Sequence, residues 1–328
     1  MEIVALREAR EEGLRLLEEY EEAAEASARP GLSAVLPGLR EAVRGGRCDG
    51  AVWIGPKDDG VALAVWRISP EVGRRVSHLY LSLGYRNPGA LARFLALLEE
   101  APPGPKAPIA ALPEAVPGIS PSSLADLLSP RGFRRYLRVA MRRPVLPLPP
   151  PPSPPPPPSP PSGIPRSPLP CRIEGTSGAD RDALLSLYME SFEKSNDRLW
   201  VESGDLQGDG EELLEGLVRE VWGPWVREAS FVGRDDGGEL LGASLVTHPP
   251  SRCPLLIGLF VKPAAQGRGL GRALLVATLG SLGPMGEREL ELNVIRENAS
   301  AFRLYSSLGF ETVSGTESAF WARELPGR

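Results

Sequence analysis

Histidine is nearly absent from this chain: there are two in 328 residues, beside three cysteines. Cys48, Cys171 and Cys253 stand far apart and form no C-x-x-C pair, so no His/Cys metal cage, and no metal, is expected. That cysteine usage fits a reducing compartment, and the protein is expected to be cytoplasmic. No stretch approaches the ~18 uncharged apolar residues of a membrane span, so no membrane partner is expected. The start, Met1-Glu2-Ile3-Val4-Ala5-Leu6-Arg7-Glu8, lacks a basic segment followed by an apolar run and does not read as a signal peptide. An excess of positive charge is missing too. With 37 Lys and Arg against 42 Asp and Glu, the formal net charge is −5, and no nucleic-acid partner is expected.

What remains is ordinary globular composition, 42% hydrophobic and 24% charged, at a length that favours two domains. Each half is long enough to bury a core of its own. Proline settles the organisation. From Pro144 to Pro170 it dominates the sequence, with Pro149-Pro150-Pro151-Pro152-Ser153-Pro154 at the centre. Proline has no N–H and fixes φ, so this stretch suits neither a helix nor a sheet interior. It reads as a polyproline II spacer, which at ~3.1 Å per residue reaches roughly 75 Å over about 25 residues. Docking of P-x-x-P segments into an aromatic groove is the alternative reading. The expected domains are 1–143 and 171–328, joined by a 144–170 linker.

The two halves share a plan. The first closes on Gly132-Phe133 and a strand-like Arg134–Met141, the second on Gly309-Phe310 and a strand-like tail through Ala319–Arg323. Upstream, His78-Leu79-Tyr80-Leu81 leads into a helical segment, as Ile257-Gly258-Leu259-Phe260-Val261 does. Tandem duplication is inferred. In the second half, helical spacing over 180–194 and 210–221 is followed by strand patterns at 230–233, 240–247 and 255–261. A helix at 273–282, a strand at 289–294, a helix at 298–308 and a strand tail complete a mixed α/β pattern.

The chemistry is carried by Leu259-Phe260-Val261-Lys262-Pro263-Ala264-Ala265-Gln266-Gly267-Arg268-Gly269-Leu270-Gly271-Arg272. An apolar strand ends, a glycine-rich turn follows and a helix begins. Glycines allow positive φ and let backbone approach a ligand without a Cβ between them. Loop N–H groups and the helix N-terminus then converge on one point, suited to phosphate. Arg268 and Arg272 add charge at its edge. Gly267, Gly269 and Gly271 do not spell the dinucleotide fingerprint G-x-G-x-x-G, and no G-K-S/T follows as a nucleoside-triphosphate loop requires.

Gln266–Gly271 resembles the Q-x-x-G-x-G signature of the GNAT superfamily of N-acyltransferases. Downstream, Leu292-Asn293-Val294 followed by Asn298, Ala301, Leu304-Tyr305 and Gly309-Phe310 resembles the family's second motif. The resemblance covers nearly all of 171–328. It implies two α/β (α+β) GNAT-like domains, each with a mixed, mostly antiparallel central sheet flanked by helices. It implies acetyl-CoA as cosubstrate, with the backbone of Gln266, Gly267, Arg268, Gly269, Leu270, Gly271 and Arg272 holding the pyrophosphate. Leu259, Phe260 and Val261 would pair their backbone with the pantetheine arm, where two central strands splay apart. Asn298 would bond the pantetheine, and Tyr305 would sit beside the sulfur.

Asn298 and Tyr305 are seven residues apart, two helical turns, so they share a face. A tyrosine hydroxyl, pKa about 10, suits protonation of a leaving thiolate. Asn298 also reads as a helix N-cap, and the two roles are compatible. The implied reaction is attack of an amine on the thioester, the acceptor being a small molecule or a peptide or protein amine. The base is not identified. His248 is read either as that base or as a surface turn residue before Pro249-Pro250. Glu190, Glu193 and Asp197 read as solvated helix charges, and Trp200, Trp222 and Trp225 as core or pocket wall. The arginines of 131–143 read as the exposed side of a strand.

The first domain departs from the pattern. Ser82-Leu83-Gly84-Tyr85-Arg86-Asn87-Pro88-Gly89 replaces the glycine loop, and no tyrosine matches Tyr305 in Leu124–Pro130. It reads as a degenerate copy that stabilises, recruits substrate or forms a homodimer. The competing reading of the whole chain is a non-catalytic CoA-binding sensor or scaffold.

Overall fold

The computed structural model describes residues 2–26, 30–57, 59–69, 73–100, 108–145, 171–176, 180–193, 206–250 and 252–323. The proline-rich stretch from 146 to 170 lies outside them, as do Asp197 and Trp200. The described residues form two compact units. One holds the chain to Tyr136 together with the segment from Ser318, and the other runs from Leu137 to Glu317.

In the first unit, β1 (Glu2–Ala5), β2 (Asp49–Ile54), β3 (Gly60–Ser69) and β4 (Gly73–Leu81) pair antiparallel in order. β5 (Ile109–Pro113) joins β4 in parallel, and β13 (Ser318–Ala322) joins β5 antiparallel. Strand alternation divides the core between two faces. Val52, Leu63, Val65 and Tyr80 pack with α1 (Arg10–Ala26) and α2 (Pro30–Arg44). Ala51, Trp53, Ala62, Leu79 and Leu81 pack with α3 (Pro88–Glu100) and α4 (Pro121–Leu128).

The second unit repeats this plan. β7 (Arg172–Gly175), β8 (Phe231–Arg234), β9 (Leu240–Thr247) and β10 (Leu255–Val261) are antiparallel neighbours. β11 (Glu289–Ile295) joins β10 in parallel. β6 (Arg134–Pro144) then pairs antiparallel with β11, from Pro144↔Glu289 to Arg138↔Ile295, and β12 (Glu311–Thr312) pairs with β6 as well. α5 (Arg181–Glu193) and α6 (Leu206–Val218) precede β8. α7 (Leu270–Leu282) follows β10, and α8 (Ala299–Ser307) follows β11. Mixed, mostly antiparallel sheets with one parallel pair each agree with the fold class read from sequence.

The closing strands do not follow the sequence halves. The Arg134–Met141 strand was expected to close the first domain and the Ala319–Arg323 tail the second. Instead most of β6 belongs to the second unit and β13 to the first, so neither unit coincides with 1–143 or 171–328. Pro144, expected to open the linker, is the last residue of β6. The alternation Leu137-Val139-Met141 specifies a strand with one apolar face but not the sheet it joins. Here Val139 and Met141 are buried with Leu290, Leu292 and Leu308, and Arg142 pairs with Glu291 at 2.6 Å.

Burial of Val139 and Met141 alone is worth about 3–6 kcal/mol, a large share of a typical domain's stability. Residues 171–328 produced alone therefore leave the β11 edge unpaired. They are expected to melt well below the full chain, or to aggregate, and appending residues 134–145 should restore a cooperative transition. Equal melting temperatures for the fragment and the full chain in differential scanning calorimetry would contradict the strand assignment.

Candidate active site

β10 sits at the centre of the second sheet, and its pairing changes along its length. With β11 it keeps register at only two positions, Leu255↔Glu291 and Leu256↔Leu292, although both strands run on. From Gly258 to Val261 it stays paired with β9 on its other side. β11 meanwhile continues against β6 through Asn293, Val294 and Ile295. Beyond Leu256 the two central strands thus part, and a wedge opens between them. A bulge falls between Leu256 and Gly258. The extra residue, Ile257, puts Leu256 and Leu259, three apart, into one cluster with Leu275 and Tyr305. Phe260 points the other way, against Tyr188 and Phe192 of α5 at 5.3 and 5.9 Å between ring centroids. Leu259 and Val261 pack beside Leu270 and Leu274.

A 3-10 turn, Pro263–Ala265, carries the chain from β10 to the glycine loop. Gln266 folds back, its Nε2 donating to the Val261 carbonyl at 3.0 Å, so its side chain braces the loop. Gly267 and Gly269 adopt φ of 71° and 89°, and a Cβ at either would meet nothing within 4 Å. Gly269 is the N-cap of α7 and supplies no side-chain cap. The first intrahelical bond is Ala273 N–H to Gly269 O at 3.0 Å, which leaves the N–H groups of Leu270, Gly271 and Arg272 without an intrahelical acceptor. Three amides and the positive end of a helix dipole therefore lie shortly after the end of β10 in the chain. Leu270 anchors the helix with a buried side chain. A Cβ on Gly271 would lie 3.4 Å from Leu304 of α8, so glycine permits close helix approach there. Arg272 reaches α8 through Ser307 Oγ at 3.0 Å, and Arg268 is half-buried beside the loop.

Asn298 caps α8, its Oδ1 accepting from Ala301 N–H at 3.1 Å and Ser300 Oγ at 2.9 Å. Tyr305, 7% exposed, lies in one cluster with Leu256, Leu292 and Val294 of the two parting strands, its ring 5.8 Å from Phe310. His248 follows β9 beyond Thr247, whose partner is Leu255, so it lies at the opposite end of β10 from the glycine loop. Its Nε2 is 3.1 Å from Glu287 Oε1. Trp225 bonds Ser230 through Nε1 at 3.0 Å and lies under the Arg227 guanidinium at 3.8 Å, which makes it a structural wall.

Lys262 was not singled out in the sequence. It ends β10 with Nζ 2.8 Å from Glu190 and 2.7 Å from Glu239, tying the strand end to α5 and to the start of β9. Burial disfavours its charge, but the hydrogen bonds and charges of Glu190 and Glu239 outweigh that and raise its pKa. Glu190, expected to be a solvated charge, is thus half of a clamp.

In the corresponding loop of the first unit a side chain caps the helix. Asn87 Oδ1 accepts the Ala90 N–H at 2.9 Å, and Pro88 has no N–H to offer. Arg86 turns onto the Leu81 carbonyl at 3.2 Å and the Tyr80 hydroxyl at 2.5 Å.

Because the Gly269 backbone is left-handed and its surroundings are open, Gly269→Ala meets backbone strain alone. A loss of about 1–2 kcal/mol is expected in urea unfolding. An unchanged midpoint would contradict the left-handed cap.

Residues 182–310 match the acetyltransferase (GNAT) family. Mycothiol acetyltransferase of Amycolatopsis mediterranei is 32% identical over 142 residues, 40% of this chain and 43% of that protein. The Geodermatophilus obscurus protein of the same name is 33% identical over 140 residues, 41% of this chain and 42% of its own. The chain thus spans less than half the length of these curated relatives. A solved tandem GNAT protein from the clavulanic acid biosynthesis pathway aligns with 100% of this chain and 99% of its own, at 14% identity and a TM-score of 0.48. The similarity to the acetyltransferase (GNAT) family thus spans residues 182–310, the segment that holds the parted parallel strands and the glycine cap.

Proposed function

We propose that the second unit transfers an acetyl group from acetyl-CoA to a primary amine by direct attack on the thioester. One observation carries this reading: the strand that borders the wedge between β10 and β11 leads through a glycine loop into a helix N-terminus, and Tyr305 lies in the cluster along one face. The relatives named as acetyltransferases support it.

In this reading the amides of the Gly267–Arg272 turn receive the diphosphate, with Gln266 bracing the loop and Arg268 and Arg272 at its edge. The backbone edge of Leu259, Phe260 and Val261, freed from β11, receives the pantetheine amides as an added strand would. Asn298 contributes a polar contact while capping α8. The amine nitrogen attacks the carbonyl carbon, strand N–H groups stabilise the oxyanion, and the C–S bond breaks. The Tyr305 hydroxyl protonates the departing thiolate, and the proton lost by the amine passes to solvent. The first unit, whose own side chains occupy the equivalent helix N-terminus, binds no coenzyme and serves as a structural copy.

Tyr305→Phe is expected to lower kcat by about 10²-fold while leaving acetyl-CoA affinity near that of the unaltered chain. Release of free thiol from acetyl-CoA in the presence of an amine panel measures it. Unchanged turnover across the pH range removes the proton-donor role.

A further inference from the structure

One polar side chain of the second unit borders the wedge and has no part in the mechanism above. From Leu290 to Ile295 every residue of β11 is buried except Asn293, which is exposed. Leu292 and Val294, on either side of it, pack in the cluster with Tyr305, so Asn293 projects from the opposite face. Its neighbours on that face, Glu291 and Ile295, are buried. A mid-strand residue exposed between two buried neighbours marks a local opening in what covers the face. Among the described residues the Asn293 amide has no hydrogen-bond partner.

The opening lies at the apex of the wedge. β10 and β11 are last in register at Leu256↔Leu292, so Asn293 is the first β11 residue beyond the parting. On β10, the residue that follows Leu256 in the ladder with β9 is Gly258. Gly258 has no side chain to fill the gap, and a Cβ there would lie 2.4 Å from Phe260 Cζ. The Phe260 ring therefore covers Gly258, and it is held from behind by Tyr188 and Phe192 of α5. Asn293 and Gly258 thus share the face on which α5 packs, opposite Tyr305. In the transfer reading the diphosphate is held after Val261, and the pantetheine arm runs back along Val261, Phe260 and Leu259. The thioester then arrives level with Gly258, with Asn293 across from it on β11.

We propose that Asn293 receives the acceptor, and that the acceptor is a primary amine with an oxygen on the adjacent carbon. A side-chain amide presents an acceptor oxygen and a donor NH2 side by side in one plane. Oδ1 accepts an N–H of the amine, and Nδ2 donates to the neighbouring oxygen. The amide carries no charge, so it does not favour the ammonium form, which has no lone pair to attack with. The N–C bond forms and the C–S bond breaks. Sulfur takes the electron pair and the Tyr305 proton, and the surplus proton of nitrogen goes to solvent. Asn293 takes no proton. The inference rests on the transfer reading and adds the residue that selects the acceptor.

The test uses the full chain with saturating acetyl-CoA and reads thiol release with 2-aminoethanol and with propylamine, which differ by a hydroxyl in place of a methyl. The amines differ in basicity, so each is compared with itself across variants. Asn293→Leu is expected to lower kcat/KM for 2-aminoethanol at least about tenfold more than for propylamine. Acetyl-CoA affinity by calorimetry and the melting temperature stay unchanged. A residue that only supported the strand would lower both amines together. Equal losses for the two amines, or no loss for either, overturn the proposal. Thiol release with other amines of a panel but none with 2-aminoethanol overturns it as well. Asn293→Ala, which adds no apolar surface, carries the test should the leucine variant aggregate. Release with no amine of the panel is a separate outcome, and it removes the transfer reading on which this one stands.

Discussion

The second unit's architecture turns on the loss of pairing between two parallel strands. β10 and β11 hold register at Leu255 and Leu256 and then part, which leaves two backbone edges without their sheet neighbour. Unpaired backbone inside a sheet is costly unless something replaces the missing partner. The cost is contained by neighbours on the outer sides, β9 against β10 and β6 against β11. The Ile257 bulge, the Lys262 clamp and the Gln266 brace then fix the free half of β10 and aim the glycine loop.

This makes β6 more than a covering strand. It pairs along the whole of β11 and brings Arg142 to Glu291. A chain read as two sequential halves misses that dependence. The first unit has its own parallel pair, β4 with β5, with a register shift between Arg74 and Arg75. There Asn87 caps the helix that follows, and Arg86 turns onto Leu81 and Tyr80. The difference between the units lies in a few loop residues and not in sheet order.

Much of this was legible in sequence because it depends on local rules. Gly267 and Gly269 announce positive φ, and the apolar run before them announces a strand. Asn298 and Tyr305 announce one helix face by their spacing. Strand exchange was not legible, because Leu137-Val139-Met141 and Ala319–Trp321 carry strand patterns without addresses. The roles of Glu190 and Lys262 were hidden for a related reason, since each depends on a partner distant in the chain. The alternation Glu287-Glu289-Glu291 was the one available hint that β11 presents a charged face. It has meaning only once Arg142 is known to lie opposite.

The central claim is that backbone amides of the Gly267–Arg272 turn grip a diphosphate, and its most direct measurement compares two ligands by titration calorimetry on the full chain. Coenzyme A carries the diphosphate and pantetheine lacks it. The account predicts clear uptake of coenzyme A and far weaker uptake of pantetheine. Equal affinity for the two, or no uptake of coenzyme A, would contradict it.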